Sequence, residues 1–256
     1  MTAALRAEWL KVRSLRSTYV TMLSAIVLGA GLGVLATTSV AHHWATMSAQ
    51  DRAGFDAVGD SFTGLVFAQL AFGVFGVLAI STEYGTGMIR ATLAATPRRG
   101  ILFTAKALVV AAVAVVLGEA FAVGTFLLGQ ATLASAHLDV RLTDPGVLRA
   151  VSGAGLYLAV VALVGYGVGA VLRHTGGAIA VLIGVVFLAW PAARALESWS
   201  YLPDKLLLSN AADVLGQVHA LAVKPRLPSL PLAYLDLVLY LVIALGLGAW
   251  RTTRDA

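Results

Sequence analysis

The residues able to carry charge or move protons are few and unevenly placed. Between two long apolar runs lies Ser81 to Lys106, STEYGTGMIRATLAATPRRGILFTAK, which holds Glu83, Arg90, Arg98, Arg99 and Lys106. Elsewhere the apolar stretches contain Glu119, Asp236 with Tyr240 one turn later, and the amides Gln69 and Gln130. A carboxyl group in such a setting contacts a cation, exchanges a proton or bonds to a neighbouring helix, because an isolated charge in hydrocarbon is costly. Glu119 and Asp236 are thus candidates for a transport pathway, with Gln69, Gln130 and Tyr240 beside them; small polar contacts between helices are the other reading of all five. Parts for covalent or metal chemistry are missing. The sequence has no HExxH or GxSxG motif and no cysteine, hence no thiolate nucleophile and no cysteine metal site. His42-His43 lacks a spaced third ligand, and His137, His174 and His219 are isolated, so no metal is expected.

These groups sit in a chain that is 59% hydrophobic and only 12% charged, with a mean hydropathy of +0.86. Soluble domains carry roughly 25% charged residues, and 256 residues cannot hide so much apolar surface from water. Six stretches approach the ~20 residues that cross a bilayer: Val20–Val40, Phe62–Ile80, Ala107–Ala131, Val151–Leu172, Ala178–Ala195 and Leu232–Trp250. Lipid leaves backbone polar groups no partner outside the segment, and the stretches lack the alternation of barrel strands, so they read as helices. The expected fold is all-α: six transmembrane helices forming a domain over 20–250, preceded by an amphipathic helix over 1–19 and followed by a tail over 251–256.

Eleven of the eighteen Lys and Arg fall in the N-terminal segment, in the loop after the second span, at Arg173 and in the tail, all on one side of that topology; the other side mixes seven with eight acids. The positive-inside rule then makes both termini cytoplasmic. The net charge of +5 follows from this topology, and no nucleic-acid partner is expected. Arg outnumbers Lys 14 to 4, and Ala and Gly are abundant, a bias expected of a GC-rich bacterium; the expected location is a bacterial plasma membrane.

Leu5, Trp9, Val12, Leu15 and Tyr19 recur every three or four residues, with Arg6, Glu8, Lys11, Arg13 and Arg16 between them. This pattern describes a helix lying on the inner leaflet, in which Trp9, Lys11, Arg13 and Arg16 meet the membrane surface. In the loop over 82–106, Gly85 and Gly87 can end the second span, Met88 to Ala95 can form two helical turns, and Thr96-Pro97 fits an N-cap followed by Pro at the first helical position. From 197 to 231, Pro203, Pro225, Pro228 and Pro231 break any long helix, which leaves short outer helices that dip into the interface. A Walker motif, GxxxxGK[ST], is absent from the sequence, so any ATP chemistry belongs to another polypeptide.

At the 82–106 loop the sequence resembles the permease subunits of type-2 ATP-binding-cassette exporters. The matching residues are Glu83, Gly87, Thr92-Leu93, Thr96-Pro97, Arg99 and Lys106, with the charged start EWLKVRS at Glu8 to Ser14; Arg98 departs from the smaller residue often found between the family's Pro and Arg. The resemblance implies a complex of two permeases and two ATPase subunits, with ATP and Mg held by the ATPases and no cofactor or catalysis on this chain. Coupling would run through Glu83, Gly87, Arg90, Thr92, Leu93, Pro97 and Arg99, with the N-terminal helix alongside. Exported drugs, antibiotics, lipids or other amphipathic compounds are the implied cargo. The rival expectation is a proton-coupled secondary transporter using Glu119 or Asp236, although such folds usually carry internal repeats and none is evident in this sequence.

Overall fold

A computed structural model of the chain describes residues 2–14, 16–89, 92, 98–195, 200, 202–218 and 227–254. It is all-helical, with no strand among those residues. A short helix α1 (Thr2–Ser14) is followed by α2 (Arg16–His43), two short helices α3 (Ala49–Ala53) and α4 (Ala57–Ser61), and the long helices α5 (Leu65–Gly85), α6 (Arg99–Leu133) and α7 (Val147–Leu172). The path continues through α8 (Thr175–Ile183), a π-helical segment (Gly184–Leu188) and α9 (Ala189–Ala195). It then forms two short helices, α10 (Leu202–Lys205) and α11 (Leu208–Leu215), followed by α12 (Leu230–Arg254).

Among the described residues, five helical segments are long and apolar enough to cross a membrane: Met22–Thr46, Leu65–Gly85, Arg99–Ala136, Val147–Leu172 and Leu230–Arg254. The stretch expected as an unbroken span over Ala178–Ala195 is different. Its backbone is helical from Thr175 to Ala195, but not as one regular α-helix: α8 passes into the π segment at Gly184 and α9 follows at Ala189, and the stretch is not among the five. Pro191 gives the physical reason: it has no N–H for the carbonyl four residues earlier, at Phe187, and its ring crowds that carbonyl, so the α-helical ladder is broken within this stretch.

Helix α7 is the centre of the bundle, flanked by α5, α6 and α12. Its small residues make this possible. Ala154, Ala159 and Ala162 are buried along it, and Gly165 lies directly on the Gly73 backbone of α5. One turn away a Cβ on Gly76 would overlap the Ala162 carbonyl oxygen. Without water to drive association, close backbone approach and van der Waals contact hold membrane helices together. Larger residues fill the remaining space, including the fully buried Phe72, Phe126, Tyr157 and Leu158. Helices α2 and α12 lie at the periphery and leave Leu23, Val27, Leu239 and Val242 exposed.

Helix α6, at 35 residues, is ~52 Å long at 1.5 Å per residue and overruns a ~30 Å hydrocarbon core. Its first two turns, including Lys106, are thereby placed beside the end of α5.

Alanine is normally the better helix former by ~1 kcal/mol, so Gly76→Ala and Gly124→Ala should differ in sign. A Cβ at Gly124 meets nothing within 4 Å, and that variant should unfold in detergent micelles at the same or a slightly higher temperature. Gly76→Ala should lose ~1–3 kcal/mol through overpacking, read as a lower midpoint in the same assay.

Candidate functional site

Four side chains from three helices meet where α5 ends and α6 begins. Lys11 Nζ of α1 donates to Glu8 Oε1 at 3.0 Å and to Glu83 Oε1 of α5 at 2.8 Å. Lys106 Nζ of α6 donates to Glu83 Oε1 at 2.8 Å and also to Glu8 Oε2. The result is a closed ring in which each lysine touches both carboxylates and the formal charges cancel. Glu8, Glu83 and Lys106 are 1%, 3% and 4% exposed, whereas the Lys11 side chain is one-third open to its surroundings.

Local sequence accounts for the ring. Glu8 and Lys11 are three residues apart on α1 and so share a helix face, and Leu5 on the same face packs against the core. Trp9 of the next face is 49% exposed and Leu10 is exposed as well. The sequence pattern had set Trp9 with Leu5 on the stripe that meets the membrane surface and Glu8 among the polar residues between. Glu8 turns inward to Lys11 and Lys106, and Trp9 stays exposed. The backbone at Arg13 and Arg16 is helical, and their side chains lie outside the described residues.

The ring reaches into the loop through one further contact. Lys11 Nζ lies 3.4 Å from Thr92 Oγ1, and that hydroxyl donates to the Met88 carbonyl at 3.1 Å. Gly87 has φ of +71°, the left-handed region in which a glycine is favoured, and it turns the chain away just after α5. Arg99 opens α6 and is half-buried, and Arg98 before it is exposed. Arg90, Leu93 and Pro97 lie outside the described residues, as does most of the expected short helix. Glu83, expected as a docking contact, faces inward, and its reach toward any partner runs through Lys11 and Lys106.

Other bonds at this end link the remaining helices. Tyr166 of α7 donates to the Phe103 carbonyl of α6 at 3.0 Å, and Ser81 of α5 pairs with Thr175 of α8 at 2.9 Å. The Arg173 guanidinium lies 4.8 Å from the Tyr84 ring centroid and donates through Nη2 to the Arg251 carbonyl at 3.1 Å.

The expected pathway residues are scattered. Gln130 donates through Nε2 to the Ala57 carbonyl at 3.0 Å and to Ser61 Oγ at 3.1 Å, while its Oε1 accepts from Val140 N–H at 2.9 Å; it braces α4 against α6. Gln69 Oε1 accepts from Tyr157 and lines a cavity of about 230 Å³ with Asp213 and Ser209 at the opposite end. Asp236 is buried on α12, its Oδ2 lacking a hydrogen-bond partner among the described residues. Tyr240 donates to the Leu206 carbonyl at 3.0 Å. Glu119 is only partly buried on α6, lying over Gly155 of α7, where a Cβ would come within 2.7 Å of its Oε1.

Burial lowers the pKa of Lys11, but bonds to Glu83 and Glu8 outweigh it and leave the amine above its ordinary 10.5. Its share of stability is therefore complete below that value and lost as pH rises through the raised one. At the opposite end, burial and then the Asp56 charge push the Asp60 carboxyl from 3.8 to about 6. Folding favours the protonated acid there, so stability falls as pH rises from 3.8 to about 6. Asp60→Asn should flatten thermal midpoints across that interval.

Removing one partner from a buried ion pair costs ~3–5 kcal/mol. Lys106→Met and Glu83→Gln should each destabilise on that scale, and the double variant by less than the sum, in a denaturation cycle in detergent. Strict additivity would show that the two groups are not coupled.

Three comparisons bear on what such a protein is. No curated protein matches the chain, and no solved structure matches it. A family model described as ABC-2 family transporter protein matches residues 4–190, which takes in α1, the ring and the loop, and this does not favour the proton-coupled alternative. With most of its length matched and five helices able to cross a membrane, the chain belongs to the ABC-2 transporter family as a multi-pass membrane permease.

Proposed function

We propose that this chain is the permease of an ATP-driven exporter, coupled to a separate ATPase through the segment that leaves the ion-pair ring at Glu83 and returns to it at Lys106. One observation carries the reading: the ring joins α1, α5 and α6 at both roots of that loop. A displacement of the loop would move three helices together, because sliding one alone would strand buried charges. Arg90, Leu93, Pro97 and Arg99 are the proposed contacts in the ATPase cleft. Gly87 turns the loop, and Thr92 ties it to α1. The basic end faces the cytoplasm with both termini, in the plasma membrane of a bacterium, and α1 lies against the headgroups.

Two permeases and two ATPases complete the assembly, with ATP and Mg on the ATPases. Glu119 supports placing the pathway on the α6–α7 face. It makes no hydrogen bond or ion pair to another described residue, and Val115, Val116 and Val123 around it are exposed. A carboxyl group at this depth faces protein or water in an assembled complex rather than lipid. A cavity closed by a second permease would meet that need and would suit hydrophobic or amphipathic cargo such as a drug, antibiotic or lipid.

The test is co-expression with a soluble ATPase carrying a Walker motif, followed by co-purification, ATP hydrolysis and export assays. Arg90→Glu should weaken capture of the ATPase. Glu83→Gln, at matched expression, should leave capture intact but lower export roughly ten-fold, a loss of ~1.4 kcal/mol in coupling. Glu119→Gln should lower export without changing capture. Full export by the chain with no ATPase present would overturn the reading.

A further inference from the structure

A second feature belongs to neither the ring nor the α6–α7 face. Between α7, α8 with its π segment, and α12 runs a groove of about 300 Å³, walled by Val168, Val171, Val181, Val185, Ile243 and Leu247. It is open along its length, since Val181, Ile243 and Leu247 are all exposed. The single hydroxyl in its wall, on Tyr240, already donates to the Leu206 carbonyl. A polar ligand would therefore find no free donor there, and only an apolar chain would lose nothing on entering.

The two ends of the groove differ. On α12, Leu247 is followed one turn later by Trp250 and Arg251; on α7, Leu172 in the groove wall is followed by Arg173. Arg173 Nη2 donates to the Arg251 carbonyl at 3.1 Å, so the two helix ends meet at this mouth. Arg254 stacks on Trp250, 4.6 Å from its ring centroid, and the Arg251 and Arg254 side chains are exposed. Trp rings favour headgroup depth, which sets the arginines at the level of lipid phosphates. From Leu247 to Tyr240 the wall runs ~10 Å into the hydrocarbon at 1.5 Å per residue. The wall also contains the only π segment among the described residues, and such segments recur at functional sites.

We infer that this groove holds one anionic phospholipid, an acyl chain along Val181, Ile243 and Leu247 and its phosphate at Arg251 and Arg254. Charge complementarity at the mouth selects the occupant, since a zwitterionic lipid gains the same apolar contact without the net attraction to two cations. The lipid would fill the gap beside the π segment, where Val181 of α8 is exposed.

Native mass spectrometry of the full-length purified permease, after delipidation and addition of equal phosphatidylglycerol and phosphatidylcholine, tests this. One phosphatidylglycerol per chain should be retained in preference to phosphatidylcholine. Arg251→Gln and Arg254→Gln should each lower that preference about five-fold, the value of one basic residue near an anionic headgroup. Val181→Trp, or Leu247→Trp should the first variant not fold, fills the groove and should abolish retention while the thermal midpoint confirms a folded chain. Millimolar inorganic phosphate should not displace the lipid. Equal retention of the two lipids, displacement by phosphate alone, or unchanged binding in both tryptophan variants would overturn the proposal. So would a shift from dimer to monomer in the tryptophan variants, which would make the groove a contact between copies. Because the measurement needs neither ATPase nor export, its failure would leave the exporter reading untouched.

Discussion

Four charges have to leave water at the mouth of an apolar bundle, and the arrangement of the basic end follows from how that is done. A lone buried lysine or glutamate would be neutralised or would keep the helix from docking. Two of each, alternating so that every lysine meets both carboxylates, give a neutral set in which no charge is unpaired. The condition is strict: α1 must seat Glu8 inward, α5 must extend far enough to present Glu83, and α6 must begin early enough to bring Lys106 alongside. Helix lengths that look arbitrary in the chain, such as the long overrun of α6, are what this closure requires.

The rest of the bundle is held by a different force. Around α7 the helices approach until backbone meets backbone, at Gly165 on Gly73 and at Gly76 on Ala162, and dispersion over long contacts replaces the hydrophobic effect that lipid cannot supply. At the far end, polar groups return as clamps. Asp56 caps α4 through Val58 and Gly59 N–H and accepts from Val218 N–H, while Gln130 ties the same helix to α6. The molecule has a tightly packed middle between two hydrogen-bonded ends, and the 82–106 loop begins and ends at the charged one.

That division matters for the proposed function, in which an ATP-consuming partner would work outside the membrane. A push delivered at one end would then travel through elements that do not yield separately. Packed small-residue contacts resist sliding, and a buried ion-pair ring resists opening, so rigid-body movement of joined helices is the cheapest response. Peripheral α2 and α12 leave apolar outward faces exposed.

Much of this was readable in the chain. Five of the six expected spans appear as long helices because ~20 apolar residues leave the backbone no other way to satisfy itself in lipid, and Gly87 after α5 ends its helix as its position suggested. Over Ala178–Ala195 the chain is helical as expected but passes through a π segment, which hydropathy does not foresee because it does not register the missing N–H of Pro191. Glu8 was legible only as one of the polar residues between the apolar positions, because an amphipathic pattern shows that a helix has two sides without saying what will meet the polar one; only its spacing from Lys11 hinted at a pair. Gln130 and Asp236 stand out in sequence as polar interruptions, yet one is a fully bonded brace and the other a buried carboxyl on α12. Composition and spacing thus determined the membrane class, the helices and the loop, since these depend on local runs and on transfer to lipid. Which charges pair, and which face each helix turns inward, were decided only by tertiary structure, because those depend on partners far apart in the chain.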